Sequence, residues 1–253
     1  MGALKALVLA VATIVLAPAW ASQEDVLRDA HYLFARDVGG IGVDSMYREE
    51  LKNHTEALLG GNRDKFDLSQ FFLLVDRNHE VQKAFVAFYD ATDGKVTFIG
   101  AEKISTGNPK RRGYFETPTG IFENKPANMS YRALGTKNKL GWRGFGVKGS
   151  RVWDLGWQRT VKGRGEPMDI RLLVHATDPE FGEPRLGTVQ SKGCIRVTGN
   201  FNRFLDRYGI LDREYETSAK AKYVLLPARS PMPFAGKFIV VIDSGEFQKP
   251  ASV

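Results

Sequence analysis

Cys194 is the only cysteine of the 253-residue chain, and it lies in Ser191-Lys192-Gly193-Cys194-Ile195-Arg196, one loop beyond His175. A thiol is nucleophilic as its thiolate, which calls for a neighbouring base or a positive field; an imidazole presented from a strand end supplies the base. Gly193 leaves room for a tight backbone bend and for a substrate to approach the sulfur. The chemistry suggested is acyl transfer. His175 takes the thiol proton, the sulfur attacks a carbonyl, and N–H groups near Gly193 and Cys194 hold the oxyanion. Against this stands the commoner role of an isolated cysteine, a small buried core residue. Redox chemistry is disfavoured, because there is no Cys-x-x-Cys and no second thiol.

The neighbouring residues admit two readings each. Arg196 carries a fork suited to a substrate carboxylate, or equally to an ion pair that holds the cysteine loop. Ser191 fits a hydrogen bond in the site or an ordinary turn. Tyr131 is read as packing, and Trp142, Trp153 and Trp157 as core. His31 falls in a leader helix, His54 is expected at the surface and His79 in a turn. Asp178 and Glu180 beside a single histidine make too poor a donor set for zinc or iron, and no phosphate loop or dinucleotide fingerprint is present. No cofactor or metal is expected.

The elements that must position these residues begin after a leader. Lys5, the apolar run Ala6 to Ala17 and Ala19-Trp20-Ala21 have the order of a secretory signal peptide, cleaved after Ala21. Residues 1–21 are therefore assigned to a signal and 22–70 to a small helical segment. In that segment Val26, Leu27, Ala30, Leu33 and Phe34 line one face, and a second helix runs from Ser45 to Leu59. From Phe71 the pattern changes to short strands at Phe71–Val75, Gln82–Tyr89 and Val96–Ile104, an antiparallel meander. Ile170–Val174 is a strand that delivers His175, Thr198–Tyr208 a helix, and Tyr223–Leu226 and Phe238–Ile242 closing strands. Residues 246–253 form a tail. The fold class is mainly β, preceded by helices.

Thirty-six Lys and Arg against 29 Asp and Glu leave a net charge of +7, which suits an acidic polymer or simply a solvated surface. Nucleic acid is not indicated, since no helix-turn-helix, zinc spacing or RNP-like strand is found.

Two separated motifs resemble one family, the L,D-transpeptidase catalytic domain (YkuD-like). Val174-His175, a loop, then Ser191, Gly193, Cys194, Ile195 and Arg196 match its hallmark, and Ser105-Thr106-Gly107 with Thr117-Pro118-Thr119-Gly120-Ile121-Phe122 matches its upstream signature. Phe71 to Asp76 is similar to the family's first strand, so the resemblance covers about residues 71–245. It implies a β-sandwich or barrel-like domain with a short helix after the cysteine motif. It also implies a peptidoglycan stem peptide as substrate, Cys194 as nucleophile, His175 as base and the Ala176 carbonyl as orienter of the imidazole. The expected reaction is acyl-thioester formation at a tetrapeptide stem with release of D-Ala, then transfer to an amine, a protein acceptor included. The alternatives are an L,D-carboxypeptidase or amidase-type hydrolase, and a degenerate peptidoglycan-binding module. The expected location is the periplasm or cell envelope. Lys192 departs from the pattern, standing where the family usually has histidine; as a cation it can support thiolate and oxyanion but cannot readily accept a proton.

Overall fold

The computed structural model describes residues 22–162 and 165–247; the signal peptide read at 1–21 lies outside them, as do 248–253 of the tail. Two helices, α1 (Gln23–Asp37) and α2 (Ser45–Gly60), precede β1 (Gln70–Asp76), β2 (Lys83–Asp90) and β3 (Lys95–Lys103). Then come β4 (Gly120–Glu123), β5 (Tyr131–Arg132), β6 (Arg151–Lys162), β7 (Glu166–Ala176) and β8 (Ile195–Val197). Helices α3 (Gly199–Arg207) and α4 (Arg213–Thr217) and strand β9 (Phe238–Ile242) complete the order. One sheet runs β3-β2-β1-β9-β4 and the other β5-β6-β7-β8. The chain is mainly β, as expected.

The first strand shows why the run Phe71–Val75 is apolar without alternation. Phe71, Leu73 and Val75 face a core shared with Trp153, Leu172, Val174, Ile195 and Val197 of the second sheet and with Phe201 and Phe204 of α3. Phe72 and Leu74 face the opposite way, into a core with Leu51 and Leu59 of α2 and with Phe66. A strand covered on both faces needs apolar residues at every position. The first sheet is thus sandwiched between α2 and the second sheet.

The meander β1-β2-β3 is antiparallel as expected, but β9 enters the middle of the sheet, parallel to β1 and antiparallel to β4. Two expectations need correction, and one strand is not anticipated. β7 begins at Glu166, earlier than Ile170, because its exposed half pairs with β6 from Glu166↔Lys162 onward. The twelve-residue β6 is not apparent in the sequence, since Gly156 interrupts its pattern at a bulge between Asp154 and Trp157. Tyr223–Leu226 is no strand: Lys222–Val224 is a 3-10 turn whose Val224 carbonyl accepts from the guanidinium groups of Arg132 (2.8 Å) and Arg151 (3.2 Å) rather than from a neighbouring strand.

The leader helices are part of this packing. Ser22 caps α1 by accepting from the Asp25 N–H at 3.1 Å, and the Asp25 carboxylate answers in a capping box. Phe34 then meets Phe201 and Phe204 edge-on, with centroids 5.9 and 5.2 Å away. Its ring occupies the space a Cβ would fill at Gly100, where a side chain would lie 2.2 Å from it. Phe34→Ala should therefore cost about 3–5 kcal/mol in a denaturant titration and expose α1 to protease. An unchanged unfolding midpoint would show α1 to be a loosely attached tether.

Candidate functional site

The register of β7 against β8 decides which side chains meet. The two strands are parallel, with Val174 opposite Ile195, His175 opposite Arg196 and Ala176 opposite Val197. Leu172, Val174, Ile195 and Val197 all enter the core. By alternation, Leu173, His175, Cys194 and Arg196 share the other face. Val152, opposite His175 on β6, and Ala133 complete the apolar bed against which half-buried Cys194 packs.

His175 is buried, and its Nδ1 lies 2.7 Å from the Ala176 carbonyl oxygen. A carbonyl only accepts, so Nδ1 carries the proton and Nε2 is left as the basic nitrogen. The Phe145 ring stands edge-on to the imidazole at 4.8 Å. Burial, and to a smaller degree the charge of Arg196, outweigh the carbonyl and bring the His175 pKa down to about 4. Burial pushes the Cys194 thiol up, opposed by the Leu173 N–H and by Arg196. At neutral pH the resting pair is consequently a thiol and a neutral imidazole. The sulfur rests 3.9 Å from the Arg171 carbonyl, its hydrogen-bond partner here in place of the imidazole.

The cysteine loop is fixed by residues of both motifs. Ser191 is buried; its hydroxyl accepts from the Gly193 N–H at 3.0 Å and donates to the Cys194 carbonyl at 2.5 Å. Gly193, with φ of 129°, occupies a conformation unfavourable to L side chains, and a Cβ there would lie 2.7 Å from Ile170 Cδ1. Of the N–H groups near Gly193 and Cys194 expected to hold the oxyanion, that of Gly193 is bonded to Ser191 in this structure. From the upstream motif, Thr117 accepts from the Gly107 N–H at 2.9 Å and donates to the Gly193 carbonyl at 2.8 Å. Ser105 and Arg196 exchange backbone hydrogen bonds of 3.0 and 2.8 Å. Gly107 has no room for a side chain, since a Cβ would lie 1.9 Å from the Phe115 carbonyl oxygen.

Lys192 is exposed, 5.7 Å from the Tyr114 ring centroid, outside the apolar bed of the sulfur. Half-buried Arg196 is in no salt bridge among the described residues; its Nη1 reaches the Gln190 carbonyl at 3.5 Å and its buried Nε has no partner. Some contributors were not singled out from the sequence. Tyr131, read as packing, is 36% exposed, and burial raises its phenol pKa. Asp154, opposite Leu173 on β6, pairs with Arg171 at 2.8 Å. Of the three tryptophans only Trp153 is core; Trp157 is 67% exposed and Trp142 lines a cleft next to Arg196. The bulge at Gly156 turns the end of β6 outward, a feature that spacing alone does not announce. Among the described residues no group of three or more His, Cys, Asp and Glu is placed to hold a metal ion.

Two outcomes follow. Thr117→Val removes the hydroxyl and strands a buried N–H and carbonyl, so stability should fall by about 1–3 kcal/mol, with a larger relative loss in the rate of Cys194 acylation. A variant acylating at the wild-type rate would mean that the loop holds itself. Second, the unfolded chain protonates His175 at its ordinary value near 6.5 whereas the folded one resists to about 4. Stability from this residue is full above the unfolded value and declines as pH falls from 6.5 to 4. It amounts to on the order of 3 kcal/mol at most. Comparing the pH dependence of melting in wild type and His175→Gln measures it; parallel curves would refute it.

The comparisons with known proteins bear on this site. No curated protein matches the chain. Among solved structures, that of Bdellovibrio bacteriovorus Bd1075 aligns at 17% identity with a TM-score of 0.32, over 72% of this chain and 53% of that one. The present chain spans about half the length of that solved chain. The model of the L,D-transpeptidase catalytic domain, YkuD, matches residues 70–210, a span from the start of β1 past the end of α3 that holds both motifs. On that match the chain belongs to the YkuD family of L,D-transpeptidase catalytic domains, whose members act on peptidoglycan stem peptides.

Proposed function

We propose that this protein is a peptidoglycan L,D-transpeptidase using Cys194 as nucleophile and His175 as general base. The observation that carries the reading is the β7–β8 register: it sets both side chains on one sheet face, with Nδ1 of the imidazole committed to the Ala176 carbonyl. As substrate enters, the sulfur turns from the Arg171 carbonyl toward Nε2, which removes its proton. The thiolate attacks the carbonyl of the L-centre residue before a terminal D-Ala. Electrons move to the carbonyl oxygen and return to expel D-Ala, whose nitrogen takes the proton from the imidazolium. An amine of a second stem or of a protein then attacks the thioester and regenerates the thiol. With the Gly193 N–H occupied by Ser191, backbone stabilisation of the oxyanion passes to the N–H groups that remain around Cys194, and Lys192 and Arg196 supply positive charge from the loop. Asp154 holds Arg171 and so fixes the strand beside the sulfur.

The proposal includes export by the segment Lys5 to Ala21 and a catalytic unit beginning near residue 71, with 22–70 docked onto it. No helix among the described residues is long and apolar enough to cross a membrane.

The test is intact-protein mass after incubation with a carbapenem and, separately, with a tetrapeptide muropeptide. Wild type should gain one covalent adduct with the carbapenem and release D-Ala from the muropeptide. Cys194→Ala should do neither, and His175→Ala should be slower by about 100-fold or more. A cross-linked dimer identifies an amine acceptor; a tripeptide identifies water and replaces transfer by hydrolysis. If wild type and Cys194→Ala behave alike, the chain is a binding module, not an enzyme.

A further inference from the structure

Beside Arg196 opens a cleft of about 340 Å³, of whose lining the mechanism above uses only Lys192 and Arg196. Four cationic side chains line it, Arg111, Arg185, Lys192 and Arg196, together with Tyr114 and Trp142, and no carboxylate is among its lining residues. Among the described residues none of the four cations is in a salt bridge. Arg111, Arg185 and Lys192 are exposed and Arg196 is half-buried; elsewhere the chain pairs several of its buried or half-buried arginines with its own acids. Arg151 pairs with Asp212 at 3.2 Å, and Arg77 with Glu116 at 3.2 Å and Asp243 at 3.3 Å. Arg143, next to the cleft, is held by Asp178 at 3.4 Å.

The cleft cations are arranged without being neutralised. Arg111 lies over the Tyr114 ring at 4.5 Å with Lys192 at 5.7 Å, and Arg185 lies over Trp142 at 4.7 Å. Aromatic faces orient a cation and leave its charge and N–H donors available. Arg196 contributes a buried, unpartnered Nε, and from the register position opposite His175 it acts electrostatically on both His175 and Cys194. The cleft therefore adjoins the proposed reacting pair. Four like charges gathered in one concavity repel one another unless a bound anion offsets them. The volume suits one or two residues of a peptide, and four cations on the lining with no carboxylate among them can take more than one anionic group.

We propose that this cleft is a recognition site for a peptide bearing at least two free carboxylates, seated alongside Cys194. The inference rests on the reading of the chain as acting on stem peptides, and it specifies their charge: stems with free carboxylates are preferred over amidated ones. Arg111 and Arg185 are specificity-determining residues, and Arg196 joins recognition to the site.

The experiment is calorimetric titration of Cys194→Ala protein, which binds without turning over, with a tetrapeptide stem in its free-acid form and with the same peptide amidated at its carboxyl groups. The free acid should bind at least about tenfold more tightly, with a preference that shrinks as salt rises. Adding Arg111→Gln and Arg185→Gln should abolish most of the preference while leaving the melting temperature unchanged, as both residues are exposed. Equal binding of acid and amide would overturn the proposal. So would a preference that survives the double variant, or displacement of both peptides alike by a glycerol phosphate oligomer, which would mark a site for phosphate polymers. Because the readout needs no thiol, a chain that proves catalytically inert can still satisfy it, and an active chain can still fail it.

Discussion

The hydroxyl of Thr117 is the constraint on which the site depends. It accepts from the backbone of Gly107 and donates to the backbone of Gly193, joining the two segments that carry the family's separate motifs. A single hydroxyl has one proton and two lone pairs, so it links one donor and one acceptor across a gap too narrow for a larger side chain. The glycines are required for the same reason, since a Cβ on either would collide with Phe115 or Ile170. Arg77 supports the arrangement from outside, donating to the Thr117 carbonyl at 2.5 Å. The position of the sulfur is thus a property of three loops together.

Electrostatics around the sulfur favour the neutral pair. Burial is the largest influence on both Cys194 and His175, and it disfavours thiolate and imidazolium alike. Arg196 acts in opposite senses on the two, easing ionisation of the thiol and discouraging protonation of the ring. A site of this kind keeps the resting thiol protonated. That restrains side reactions of an unpaired cysteine.

Much of this was legible in the sequence. Cys194, His175 and Arg196 stand out by type and spacing, and helices and strands with clear periodicity, such as α1, α2, β2 and β3, fall where the pattern puts them. What could not be read depends on distant partners. β6 is hidden because its bulge at Gly156 breaks the alternation, and with it went the reading of Trp157 and Asp154. Tyr223–Leu226 has strand-like composition, but buried arginines claim the Val224 carbonyl, and a hydrogen bond to a residue far away in sequence overrides local propensity. The bond from Gly193 to Ser191 is local, yet a motif gives residue types and not the direction of an N–H.

The central position of β9 bears on how the chain acquires its structure. Thr117 lies just before β4, and β4 joins the sheet only through β9, whose other neighbour β1 is at the opposite end of the domain in sequence. Pairings such as Leu73 with Ile239 close a very long loop and form late, since the entropy of closure opposes them until other contacts exist. The Cys194 loop is synthesised well before β9. A nascent or C-terminally shortened chain can hold every residue of the site and still lack the strand against which β4, next to the Thr117 segment, is laid.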